Sequence, residues 1–209
     1  MVKRLLVCGV VAVMGVALAA QAPANRPASG RGQASTQIGG DWVKGERSST
    51  YQGGKWIDVT YGRPVLRQRA NIFGTGADYG KTLNAGAPVW RAGADQSTRF
   101  KTDVALDFAG KALPAGEYSM YIGLAEKEWT FVLSSWPAQQ KYDPANKTEL
   151  WGAYNYTADR DVLRVPMKLD ALPYSVDEFT IAFVDMTKTG GRLAVMWDRT
   201  MASVAFKTQ

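Results

Sequence analysis

Histidine is missing from the sequence altogether. The commonest general base and metal ligand at neutral pH is therefore unavailable. That excludes Ser-His-Asp and Cys-His catalysis, the HExxH zinc site and any Cys/His zinc or copper cluster. Carboxylate, lysine, tyrosine or arginine chemistry remains. Cysteine occurs once, as Cys8, too early and behind residues too bulky for a lipid-anchor cysteine. Disulfides are thus excluded from the folded part, and about 185 residues can bury enough surface without them. Runs of one charge are also missing. The net charge is +6, and because the basic residues are scattered, no nucleic-acid stripe is indicated. Weak attraction to an anionic cell envelope is the simpler expectation.

Only one long apolar run is present, and it stands at the start. In "MVKRLLVCGVVAVMGVALAAQA", Lys3 and Arg4 precede an apolar stretch from Leu5 to Leu18 and then small residues. This is the pattern of a secretory signal peptide, with cleavage expected after Ala19 in preference to Ala22, since Pro23 would follow the later site. The run is too short for a spanning helix. Loss of Lys3 and Arg4 with it lowers the net charge from +6 to +4. Residues 20–33, rich in Ala, Pro, Gly, Gln and Arg without a period, read as a disordered leader. One domain, residues 34–209, is expected to follow, exported to the periplasm or secreted.

From there the period is two. Ile57, Val59 and Tyr61 alternate with Trp56, Asp58 and Thr60 before Gly62 and Pro64 stop the run. Val104, Leu106 and Phe108 share a face, as do Tyr118, Met120 and Ile122, and Trp129, Phe131 and Leu133. A polar loop, "SWPAQQKYDPANKTE", separates these from "LWGAYNY" and "DVLRVPMKLD", in which Leu163, Val165, Met167 and Leu169 face inward. Pro166 cannot donate to a ladder and is expected at a sheet edge. "TKTGG" joins Phe179, Ile181 and Phe183 to Leu193, Val195 and Trp197 in a hairpin, and "ASVAFK" forms a last short strand. About nine strands with turn signals between them and no long amphipathic helix indicate an all-β protein, an antiparallel β-sandwich or jelly roll.

"IDVTYGRP", "VWRAGADQST", "GKALPAGEYSMY", "EWTFVLS", "WGAYNY" with "DVLRV", and "FTIAFVDMT" follow one another in this order. In these six stretches the chain resembles the bacterial domain-of-unknown-function 2911 family, from about Ala34 to Phe206. The resemblance implies an exported protein and no assigned activity. Typical members carry a run of the type "PYGKVWR". Here "YGK" (Tyr79 to Lys81) is separated from "VWR" by "TLNAGAP".

The stretch "APVWRAGADQSTRF" holds the first candidate site. Arg91 beside Trp90, with Asp95 and Thr98 just after, suits a pocket in which the guanidinium holds a carboxylate or phosphate while the indole stacks a ring. The structural alternative is that Arg91 and Asp95 pair with each other or with Arg63 and fix the loop against the sheet. Trp151, Tyr154 and Tyr156, around Gly152, have the composition of a sugar-stacking surface, or of buried aromatic packing. Asp103, Asp107, Glu117, Asp159, Asp161 and Asp185 are candidate carboxylates for a glycosidase pair, though nothing singles out two. Asp143, Asn146 and Glu149 offer oxygens to a calcium ion, at a spacing that fits no calcium loop. "GTGADYG" lacks the context of a dinucleotide loop. "KTG", without a Ser-x-x-Lys, is only a turn.

These observations lead to an exported, non-catalytic ligand-binding or envelope-associated module. Its expected ligand surface is Arg63, Trp90, Arg91, Asp95, Thr98, Trp151, Tyr154 and Tyr156. No catalytic residue, metal or cofactor is assigned. The expected partner is a carbohydrate, a small anionic ligand or an envelope component, not nucleic acid. The alternative is a histidine-free, carboxylate-dependent hydrolase acting on a glycan.

Overall fold

The computed structural model describes residues 29–209. The expected signal peptide and most of the expected leader lie outside the described residues. β1 (Gly30–Ile38) pairs antiparallel with β4 (Lys55–Arg63), Gly30 opposite Arg63 and Ile38 opposite Lys55. β1 therefore takes in residues 30–33, expected in the leader. "GRGQ" carries no apolar residue to mark it as a strand, and it contributes a backbone ladder to β4 and the Arg31 side chain, which donates to Gln96. Between these strands, β2 (Asp41–Lys44) and β3 (Ser49–Gln52) form a separate two-stranded hairpin.

The remaining strands are β5 (Thr98–Thr102), β6 (Leu106–Phe108), β7 (Lys111–Leu113), β8 (Gly116–Ala125), β9 (Glu128–Ser134), β10 (Asp161–Val184) and β11 (Gly190–Thr208). Nine strands share one sheet in the order β1-β4-β5-β8-β9-β10-β11-β6-β7. "TLNAGAP" is accommodated by a single helical turn, Lys81–Asn84, ahead of Trp90. Among the described residues no helix is long and apolar enough to cross a membrane.

β10 converts this sheet into a sandwich. Its first part, Asp161–Met167, pairs with β9, and the rest, from Lys168 on, pairs with β11. Register shifts between Ala171 and Val176 and between Val176 and Thr180 bend it on the way. The expected separate strands around Pro173 are therefore one strand of 24 residues, and the expected short C-terminal strand is the end of the 19-residue β11. Pro166 lies where β10 is locally an edge of the sheet. It stands opposite Thr130 of β9, just before β11 takes up pairing at Lys168, where β10 has a neighbour on one side only and a missing N–H costs little.

The folded-over sheet is closed by the continuation of β4. Val65 bridges Glu178, the Leu66 N–H donates to Asp177 O at 2.8 Å, and the Phe179 N–H donates to Pro64 O at 2.9 Å. Between the two layers lie the inward residues of each strand. Trp90 stacks on Trp197 at 5.9 Å, Phe179 meets Trp90 at 4.9 Å, and Phe73 meets Trp129 at 4.8 Å. Phe100, Phe108, Phe131 and Phe206 form the other half of the core. Each ring buried this way stabilises the fold by roughly 1.5–3 kcal/mol, with about 0.5–1.5 kcal/mol more per well-set aromatic pair.

Part of the outward face of β8 and β9 is buried as well. Tyr121 and Val132 alternate with the core residues of their strands, yet with Val89, Leu150, Ala153 and Tyr156 they form a second apolar cluster. The segment between β9 and β10 lies over them as a lid.

Candidate functional site

Two loops meet on this outer face. The first, Trp90 to Ser97, leaves the core at Trp90, whose N–H and C=O pair with Ile122 at 2.8 and 2.9 Å. It then folds across the end of β4. Its contact with β4 is backbone on backbone, since a methyl group on Gly62 would stand 2.1 Å from Ala94 O. The Thr98 hydroxyl donates to Ala92 O at 2.8 Å and holds the turn.

The second loop is the lid between β9 and β10. At its centre the Gln139 side chain, in a residue only 5% exposed, takes the place of a small core. Its amide nitrogen donates to Asp143 O, Asn146 O and Glu149 O at 3.2, 3.3 and 3.0 Å, and its oxygen accepts from the Asp143 N–H at 2.9 Å. The Asn146 side-chain oxygen accepts from the Thr148 and Glu149 N–H groups. The Trp136 indole donates to Thr157 O, and the Arg160 guanidinium lies 3.8 Å above the ring. At the far end Tyr156 donates to Asp161 Oδ2 at 2.6 Å, and Arg164 donates to the same oxygen at 2.6 Å. Burial, then the hydrogen bond and charge of Asp161, push the Tyr156 phenol far up, against the opposing effect of Arg164.

Ser97 joins the two loops. Its hydroxyl lies 2.6 Å from Gly152 O and 3.2 Å from Leu150 O. Gln96 donates to Gln140 O at 2.7 Å and accepts from Arg31 at 2.8 Å. Arg91 and the Trp151–Tyr156 stretch, distant in sequence, are thereby adjacent. A methyl group on Gly152 would stand 3.0 Å from Arg91 Cδ and 3.1 Å from Asp95 O.

The eight candidate residues fall into distinct places. Trp90 is 1% exposed inside the main core, so its expected place on a ligand surface is corrected: no ligand reaches that ring without unfolding the sandwich. Thr98 is buried as a loop fastener, and Tyr156 is buried in the lid cluster with its hydroxyl in the Asp161 clamp. Arg63 is turned to Glu178 at 2.5 Å across the sheet closure. Asp95 is exposed in a left-handed turn, φ 61°. The expected pairing of Arg91 with Asp95 is absent. Arg91 has no carboxylate within salt-bridge distance among the described residues, and its Nε donates only weakly, to Gly93 O at 3.4 Å. Trp151 and Tyr154 are the two that line an open recess.

That recess, of about 130 Å³, is bounded by Tyr142, Trp151 and Tyr154 with Asn146, Lys147 and Glu149. Tyr142 is 55% and Tyr154 50% exposed, and the Tyr142 and Trp151 rings are 5.8 Å apart. Tyr142 and Gln139 are the residues that sequence reasoning missed. They sit in the aperiodic polar loop, where nothing distinguishes a structural glutamine from a solvated one. The oxygens weighed as calcium ligands are occupied by the loop itself. Asp143 Oδ1 accepts from the Ala145 N–H, and Glu149 Oε2 accepts from the Asn146 amide. Of the candidate carboxylates, Asp161 is the buried one, its side chain 4% exposed.

Residues 44–206 match the family described as "Protein of unknown function (DUF2911)". The chain belongs to the DUF2911 family. Both loops and the whole recess lie inside the DUF2911 span, whereas β1 and the first residues of β2 precede it. No curated protein and no solved structure matches the chain.

Proposed function

We propose that this DUF2911 domain is a non-catalytic binding module for carbohydrate, exported to the periplasm or beyond and held near the envelope. The observation that carries this reading is the cluster of exposed Tyr142 and Tyr154 with half-buried Trp151 around one recess, on a loop made rigid by Gln139. Flat aromatic faces flanked by fixed polar groups suit a sugar ring, apolar on its faces and polar at its edge. Rigidity lowers the ordering cost of binding. Arg91, a cation without a carboxylate and packed on Gly152, adds a place for an acidic substituent on the glycan. Asp161 supports a structural role over general acid catalysis, because one of its oxygens is shared by Tyr156 and Arg164.

Calorimetric titration of the purified protein with neutral and acidic polysaccharides tests this. Trp151→Ala is expected to weaken binding at least tenfold, about 1.4 kcal/mol, with Tm within a few degrees of the parent. Hydrolysis of any glycan abolished by Asp161→Asn, or binding indifferent to Trp151→Ala, would overturn the reading.

A further inference from the structure

A larger cleft lies elsewhere, at the end of β1 away from Gly30. It measures about 530 Å³ and is bounded by Trp42 and Tyr51 of the hairpin, Gln37 and Asp41, and Thr187 and Lys188 of the β10–β11 turn. This falls within the range of small-molecule sites, roughly 300–1,000 Å³.

The cleft is built rather than incidental. The Tyr51 ring is wedged between two glycines, since a methyl group on Gly40 or Gly54 would stand 2.6 or 2.4 Å from it, and its hydroxyl accepts from the Gly40 N–H at 2.9 Å. Trp42 leans on that fixed ring at 5.4 Å and 60° and is itself 72% exposed. The hairpin is tied to the far wall by the Gly39 N–H to Lys188 O at 2.8 Å and by Lys188 Nζ to Asp41 Oδ1 at 2.5 Å. The Gln37 amide faces Gly54 and makes no hydrogen bond among the described residues.

Charge decides the ligand class. Two tilted rings beside a carboxylate are half of a cage for an organic cation. Lys188 cancels Asp41 at contact distance, so a cation meets an ammonium and an anion gains no net attraction. What remains is an indole face ringed by an unpaired amide and by a paired carboxylate and ammonium, complementary to an uncharged polyhydroxylated ring. We infer that this cleft is a second sugar-binding site, in which a neutral glycan ring stacks on Trp42 and its hydroxyls are met by Gln37, Asp41 and Lys188. The inference does not rest on the Trp151 surface. If both hold, one domain grips a polysaccharide at two points.

The test is NMR of the indole N–H signals and calorimetry on the purified protein, with cellohexaose, xylohexaose and laminarihexaose as neutral probes. Polygalacturonate is the anionic probe and choline the cationic one. At least one neutral probe is expected to shift the Trp42 indole signal. Its affinity should fall at least tenfold in Trp42→Ala and several-fold in Gln37→Leu, while Trp151→Ala leaves the Trp42 shift intact. A Trp42 signal that no neutral probe moves, that choline or polygalacturonate alone moves, or an affinity unchanged in Trp42→Ala, would overturn the second site. Loss confined to Trp151→Ala would overturn it and leave the lid surface standing. Because Trp42 is mostly exposed, its removal leaves the fold intact, and Gln37→Leu keeps the test open if it does not.

Discussion

Replacing Gln139 by methionine keeps the length and much of the volume of the side chain and deletes every hydrogen bond it makes. The amide has two N–H groups for three carbonyls, so two donated bonds and the one accepted from the Asp143 N–H act at any moment. At about 1 kcal/mol net for each, the lid is held by roughly 3 kcal/mol from this residue. Asp143 and Lys147 are exposed, so the freed groups regain water once the loop opens, and local opening rather than global unfolding bounds the loss. In Gln139→Met the Asp143 and Glu149 amides are therefore expected to exchange with solvent about a hundredfold faster, 3 kcal/mol at most converting to somewhat more than that. Amides of β8 should be unchanged, and the urea midpoint only slightly lower. Sugar affinity at the Trp151 surface falls with the loop's order. Amide exchange followed by NMR is the assay. If Asp143 stays as protected as in the parent, Gln139 does not organise the lid and does not make the binding surface rigid.

Two further outcomes follow from packing and ionisation. In Gly62→Ala the new methyl group meets Ala94 O and lifts the Trp90–Ser97 loop, costing about 1–3 kcal/mol, to be read as a lower urea midpoint; an unchanged midpoint would show that the loop gives way freely. Burial raises the phenols of Tyr79, Tyr118, Tyr121 and Tyr156. Unfolded tyrosines ionise near pH 10, so the folded state keeps these protons longer. Its stability is whole below about pH 10 and declines as pH rises from there through the raised values. Phenolate absorbance should show late-titrating tyrosines coupled to unfolding, one fewer in Tyr156→Phe. All of them ionising near pH 10 in the folded protein would contradict this.

The strands were legible because half-buried β-structure writes itself as alternation, and Ile57, Val59, Trp129, Phe131 and Leu133 are buried where that pattern puts them. The same rule misled on the outer face. Ser119 and Tyr121 alternate with Met120 and Ile122 as a solvent-facing set should, yet both are fully buried. The covering lid has no period to announce it. Trp90 was misplaced for a related reason, because Arg91 and Asp95 next to it read as surface while the indole itself enters the core. The adjacency of Arg91 to Gly152 depends on two loops crossing through Ser97, a contact over 50 residues that no local pattern carries. The length of β10 was hidden by Pro173, which sits in the irregular stretch between two registers and looks like a strand stop.

β11 is the last strand made, yet it is flanked on both sides, by β10 and β6. It contributes Leu193, Val195, Trp197, Val204 and Phe206 to the interior. A chain holding only β1 to β9 thus has β6 and β7 cut off from the rest of the sheet, and much of the apolar side of β4, β5, β8 and β9 is left uncovered. Contacts this distant in sequence form slowly, and an incomplete chain with open strand edges is prone to aggregate. The two layers therefore close only when β10 and β11 are present together with the strands that precede them.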